Sequence, residues 1–116
     1  MEIKRLHPGK RLSETAIHNG TVYLAGQVAD DTTQDIVGQT REVLAHVDRL
    51  LLEAGSDKSA ILMVQIFVKN IDDFAGMNSV YDEWVAEGNA PPRATVEATL
   101  ANPAGLVEIV VTAAQR

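Results

Sequence analysis

Hydrophobic and polar positions alternate with a period of two near the start of the chain, switch to helical spacing, and repeat that change once more before the end. From Leu12 to Val28 two short extended runs flank Asn19-Gly20, a dipeptide suited to positive φ at both central turn positions, which predicts a strand, a tight turn and a strand. In the second run Val22, Leu24, Gly26 and Val28 share one side and Thr21, Tyr23, Ala25 and Gln27 the other. Between Gln34 and Ala54 the residues Ile36, Val37, Val43, Leu44, Val47, Leu50, Leu51 and Ala54 recur at helical spacing, with Gly55 where a helix stops. Ala60 to Lys69 alternates again, with Leu62, Val64, Ile66 and Val68 on one face, and reads as a central strand. Asp72 is placed to cap a second helix with the stripe Phe74, Met77, Tyr81, Trp84 and Val85, ended by Gly88 and Pro91-Pro92. Two strands close the chain, Thr95 to Leu100 and Val107 to Ala114, and the turn-rich link Asn102-Pro103-Ala104-Gly105 predicts that they are antiparallel neighbours.

The order ββ, α, β, α, ββ predicts an α+β domain spanning residues 1–116, a mixed sheet with two helices packed on one face. The opposite face then presents Met63, Phe67 and Val110 to solvent. Burial against sister subunits is the economical remedy, so the pattern predicts an oligomer.

Composition narrows the function. A formal net charge of -6, with the basic residues scattered, argues against binding a polyphosphate backbone, which calls for clustered Lys and Arg. The chain has no cysteine, which removes thiolate nucleophiles and zinc-thiolate or iron-sulfur sites. No run has the roughly 20 apolar residues of a membrane span, and the Met1–Leu12 segment carries no apolar stretch of signal-peptide length, so a cytoplasmic location is expected.

Few residues are candidates for chemistry. Arg93 follows Ala90-Pro91-Pro92, so a stiff segment delivers a planar guanidinium fork to the mouth of a strand, fit to clamp a carboxylate; a solvated arginine at a strand end is the plainer alternative. Glu108, between Val107 and Ile109, projects from the face opposite theirs, either toward solvent or at a pocket edge where it could orient a water or act as a base. Asn78 is a polar residue on the apolar stripe of the second helix and needs a hydrogen-bond partner, in the core or on a ligand. His7, His18 and His46 have no metal-binding spacing, and Ser13 lacks the context of a hydrolase nucleophile.

The segment Ala90-Pro91-Pro92-Arg93-Ala94-Thr95-Val96-Glu97, followed by Val107-Glu108-Ile109, resembles the C-terminal signature of the RidA (YjgF-type) family. Gly20 to Gln27 resembles the family's strand ending in Gly-Gln, and Phe67-Val68-Lys69, Asp73-Phe74 and Met77-Asn78 extend the likeness over nearly the whole chain. The resemblance implies a chorismate-mutase-like fold (bacillus type), a homotrimer with clefts between subunits, and cofactor-free, metal-free hydrolysis of reactive enamines or imines to 2-oxo acids and ammonia. It further implies that Arg93 grips the carboxylate of a small 2-imino or 2-oxo acid, that Glu108 positions the attacking water, and that Gly26, Asn78, Thr95 and Ser13 line the cleft. Arg11-Leu12-Ser13-Glu14-Thr15 replaces the family's Gly-Pro-Tyr-Ser-type segment, Thr95 stands where many members carry cysteine, and Ala25 where many carry serine. These departures resemble the shorter, YoaB-like branch.

Two readings of different class stand: an imine or enamine deaminase acting in metabolite damage control, and a non-catalytic trimer that binds a small carboxylate and regulates a partner. Ribonuclease activity, a label some relatives carry, is disfavoured by the acidic charge.

Overall fold

The computed structural model describes residues 2–116. One sheet carries two helices on a single face. Its strands are β1 (Lys4–Pro8), β2 (Ser13–His18), β3 (Thr21–Leu24), β4 (Gln27–Val28), β5 (Ile61–Val68), β6 (Arg93–Glu97) and β7 (Val107–Ala114), with helices α1 (Ile36–Glu53) and α2 (Phe74–Trp84). The strand order is β1-β2-β3-β7-β5-β6, with β4 also paired to β7.

The helix-covered face of the sheet supplies half the core. Val22 and Leu24 of β3, Val64, Ile66 and Val68 of β5, and Val107, Ile109, Val111 and Ala113 of β7 are all buried against Val43, Leu44, Val47, Leu50 and Leu51 of α1 and Met77, Val80 and Tyr81 of α2. Asp35 caps α1 by accepting from the Gly38 amide at 2.9 Å, and Gly55, at φ +77, takes the left-handed conformation just beyond its last turn.

The hairpin at Asn19-Gly20 forms as read, with φ of +53 and +75 at its two central residues. Four other expectations are corrected. The period-two reading through Val28 breaks at Ala25-Gly26: Gln27 is buried and Val28 faces out, because between the Tyr23–Thr112 and Gln27–Ile109 pairs three residues of this segment stand opposite two of β7, a one-residue shift that reverses the facing. In β5 the register shifts between Ile61 and Met63, so Leu62 is the extra residue of a bulge and Ile61 takes the core position expected for it. Asp72 is not the cap of α2; it lies within a 3-10 turn, Ile71–Asp73, capped by Asn70. The last two strands are not neighbours: β6 begins at Arg93 rather than Thr95, ends at Glu97, and runs parallel to β5, while β7 pairs antiparallel on the other side of β5. The Asn102–Gly105 link therefore passes across the end of β5, where the Lys69 amide donates to the Leu106 carbonyl at 3.0 Å and the Lys69 ammonium to that of Pro103 at 2.5 Å. β1 has no counterpart in the sequence reading, since an edge strand with four exposed positions of five carries no hydrophobic signal.

The uncovered face presents Tyr23, Met63 and Val96, each 42–50% exposed, around the half-buried Phe67 and Val110. This broad apolar surface is the one that the alternation predicted.

Candidate functional site

Arg93 opens β6 opposite Val64, and paired positions in a sheet point the same way, so its side chain rises on the helix-covered face. There α2 receives it. The guanidinium carbon lies 4.6 Å from the centre of the Tyr81 ring and 5.9 Å from that of Phe74, two residues seven apart on one helix face. Among the described residues no carboxylate pairs with Arg93. Asn78, between the two rings on that face, has a buried Oδ1 with no partner, and the Tyr81 hydroxyl and Thr95 Oγ1 are likewise buried and unpartnered. Burial pushes the Tyr81 phenol above its ordinary value of 10.0; the Arg93 charge and the approach of its N–H groups to the hydroxyl oppose that rise without reversing it, and the hydroxyl stays neutral. The stacked guanidinium is thus half-buried, held by π faces rather than by an anion, with no carboxylate of the described residues on its fork.

Glu108 stands on β7 opposite Phe67 and Val28, and so points from the uncovered face. Its carboxylate packs over Gly26: a Cβ at that position would come within 2.1 Å of Glu108 Oε2. The glycine leaves the space that the carboxylate occupies, so a side chain there would displace Glu108; its φ makes no demand for glycine. A cavity of about 220 Å³ lies beside the carboxylate, walled by Gly26, Val28 and Ala29 on one side and by Leu100, Asn102 and Gly105 on the other. Its lining is largely apolar apart from Glu108, Thr32 and Asn102.

The structure therefore separates the two principal candidates. Arg93, Asn78 and Thr95 gather on one side of the sheet and Glu108 with Gly26 on the other. Ser13 opens β2 opposite Pro8, at the end of the β2–β3 ladder that leads toward Gly26. Within one chain Arg93 and Glu108 do not form a pair.

Sequence reading missed three contributors. Phe74 and Tyr81 were placed in the core stripe, yet Phe74 is 40% exposed and both rings serve Arg93; seven-residue spacing of aromatics near an arginine-bearing strand was the available signal. Gln39, buried on the apolar stripe of α1, was passed over although a polar residue in that position demands partners.

Other features lie apart. Asp30, Glu42 and His46 form a cluster beside Gly26, but Arg49, which can only donate, meets His46 Nδ1 at 3.2 Å. The imidazole proton is then on Nε2, facing Glu42 at 3.2 Å and Asp30 at 3.3 Å, a clasp between the Asp30 loop and α1 rather than a set of free ligand atoms. A further cavity, about 320 Å³, lies between the helices, where Trp84 Nε1 donates to both carboxylate oxygens of Asp48 at 3.0 and 3.1 Å.

Two helices on one face of a mixed sheet with this strand order make a chorismate-mutase-like α+β subunit, the fold shared by its structural neighbours. Residues 2–115 match the family model described as Endoribonuclease L-PSP, and the chain belongs to that family, the Rid/YjgF group. It is 50% identical over 112 residues to a RutC family protein of Haemophilus ducreyi, covering 97% of this chain and 96% of that one. It is 44% identical over 114 residues to the RutC family protein YoaB of Escherichia coli, covering 98% and 99%. A crystal structure of a YjgF family member from Neisseria meningitidis superposes with a TM-score of 0.97 at 43% identity, covering 100% of this chain and 97% of the other. The chain thus matches the short YoaB type from end to end. No helix among the described residues is long and apolar enough to cross a membrane.

Proposed function

We propose that the protein is a cofactor-independent deaminase that hydrolyses small 2-imino acids, and the enamines in equilibrium with them, to 2-oxo acids and ammonia. The observation that carries the reading is Arg93: a half-buried guanidinium stacked on Tyr81 and Phe74, without an anionic partner among the described residues. Such a fork suits a carboxylate, and a 2-imino acid brings its carboxylate next to the reacting carbon. Water adds to the C=N carbon of the iminium, the proton it sheds passes to nitrogen, and the C–N bond breaks with release of ammonium and a 2-oxo acid. A protonated imine is already electrophilic, so orientation, a held water and proton transfer are the contributions asked of the protein.

Glu108 is the group we assign to the water. Because it points from the face opposite Arg93, the proposed site lies between subunits of a homotrimer. Arg93 of one copy faces Glu108 and the Gly26 backbone of the next, with Asn78, Thr95 and Ser13 along the cleft. The uncovered apolar face, with Tyr23, Met63, Phe67 and Val96, supports association of this kind.

The same separation motivates a second reading: Arg93 and its aromatic cradle are complete in one chain and serve binding alone equally well, as in a regulatory trimer that takes a small carboxylate without turnover. Generating imines in situ from a panel of amino acids with an amino-acid oxidase, and trapping free imine with semicarbazide, separates the two. Suppression of the adduct by the wild-type protein and not by Arg93→Ala supports the deaminase. Saturable carboxylate binding with an unchanged adduct across the panel supports the regulator.

A further inference from the structure

The buried amide of Gln39 connects two loops that line the Glu108 cavity. Its Oε1 accepts from the Leu106 amide at 2.9 Å, and its Nε2 donates to the Gln34 carbonyl at 3.0 Å, with longer contacts to Thr32 O and Ala104 O, both at 3.4 Å. The orientation of the amide is forced, since a backbone N–H lies on one side and carbonyls on the other. Gln39 is 1% exposed, so water does not substitute for any of these bonds. Thr32 belongs to one wall of the cavity and the Leu100–Gly105 segment to the other, and Leu106 lies two residues before Glu108 at the entrance to β7.

We infer that Gln39 is a positioning residue for Glu108 and its cavity, joining both walls through one side chain that touches neither the cavity nor the carboxylate. The inference rests on the deaminase reading for its activity readout, but not for its structural one. A glutamine whose role was to fill core volume would be replaceable by an apolar residue of similar size. A residue that acts through a donor on one atom and an acceptor on the other is not.

Gln39→Glu tests this through pH. An ionised carboxylate there accepts from Leu106 and faces the carbonyls of Gln34, Thr32 and Ala104 with no proton to give. Burial raises its pKa, and once protonated it regains the donor. We expect kcat/KM of Gln39→Glu, taken as a ratio to wild type, to be about tenfold or more reduced near pH 8 and to recover toward about pH 6, the loss residing mainly in kcat. Gln39→Leu, apolar and of similar size, stays low throughout. Backbone amide exchange, followed by NMR at Leu106 and Gly105, is expected to be about tenfold faster in Gln39→Leu and in Gln39→Glu at the higher pH, with both variants folded by circular dichroism. A pH-independent ratio near one in both folded variants, with exchange unchanged, overturns the inference. If the wild-type protein turns over no imine, the deaminase reading fails and exchange decides alone: faster exchange upholds the positioning role, and unchanged exchange overturns it.

Discussion

The two halves of the candidate site are built in different ways. Around Arg93 everything comes from regular structure: a strand delivers the guanidinium and one helix face supplies Phe74, Asn78 and Tyr81 at fixed spacing. Around Glu108 the strand supplies only the carboxylate. Apart from Val28 of the short β4, the rest is irregular chain, namely Gly26 in the break between β3 and β4 and the Leu100–Gly105 segment, held by Gln39 and Lys69. A half built on a helix and a strand is rigid through packing, whereas a half built on loops relies on particular hydrogen bonds and one absent Cβ. Substitutions at Arg93 should therefore remove binding, and substitutions around Glu108 should misplace it.

The largest expected effect is at the first half. Arg93→Ala should lower kcat/KM in the imine-trapping assay by about a hundredfold or more, through loss of a charge-assisted double hydrogen bond; Arg93→Lys should fall between, keeping the charge and losing the fork. Next comes Gly26→Ala, whose new methyl group claims the position of Glu108 Oε2. It should cost about tenfold in kcat with the melting temperature nearly unchanged, because the atom displaced is the far end of a flexible side chain; in the Glu108→Ala background the same substitution should cost nothing beyond the loss from Glu108→Ala itself, as expected if both act at one point. Phe74→Ala removes the more distant, partly exposed ring and should raise KM only about two- to fivefold. A wild-type KM in that variant would show that Tyr81 alone carries the cradle.

The smallest effect concerns acid stability. Glu42 is held below its ordinary 4.5, most strongly by the Asp30 amide, with the Asp31 amide, Gln34 and His46 adding to it against the opposing effect of burial. A carboxyl whose pKa is depressed in the folded state stabilises the fold above its unfolded value, and that contribution is lost as pH falls through the folded one. Thermal melts of the wild type should therefore fall in midpoint as pH drops below about 4.5, and Glu42→Gln should remove part of that dependence. An identical pH profile in the variant would mean that the Asp30–Gln34 loop does not depend on the carboxylate charge.

Legibility in the sequence follows the same division. Both helices, β5, β7 and the Asn19-Gly20 hairpin were readable because each has a period or a turn signal set by local sterics. Arg93, Asn78 and Thr95 were readable as candidates, and the structure does gather them. The bulge at Leu62, the reversal of facing at Gln27 and the insertion of β5 between β6 and β7 were not, because each is decided by pairing between distant segments and a one-residue shift flips every later side chain. For the same reason the opposite facing of Arg93 and Glu108 was invisible: the parity of each strand is local, but their relation passes through the register of β5.

That opposite facing is the basis of the central claim, that a working site takes Arg93 from one subunit and Glu108 from another. The direct measurement is complementation. Arg93→Ala and Glu108→Ala proteins, each inactive alone, are denatured together in equal amounts, refolded, and assayed by imine trapping, with mixed assemblies verified by native mass spectrometry. Random assortment leaves about a quarter of the interfaces with both residues intact, so we expect about a quarter of wild-type activity to return. Mixed assemblies that remain as inactive as either parent would contradict the account.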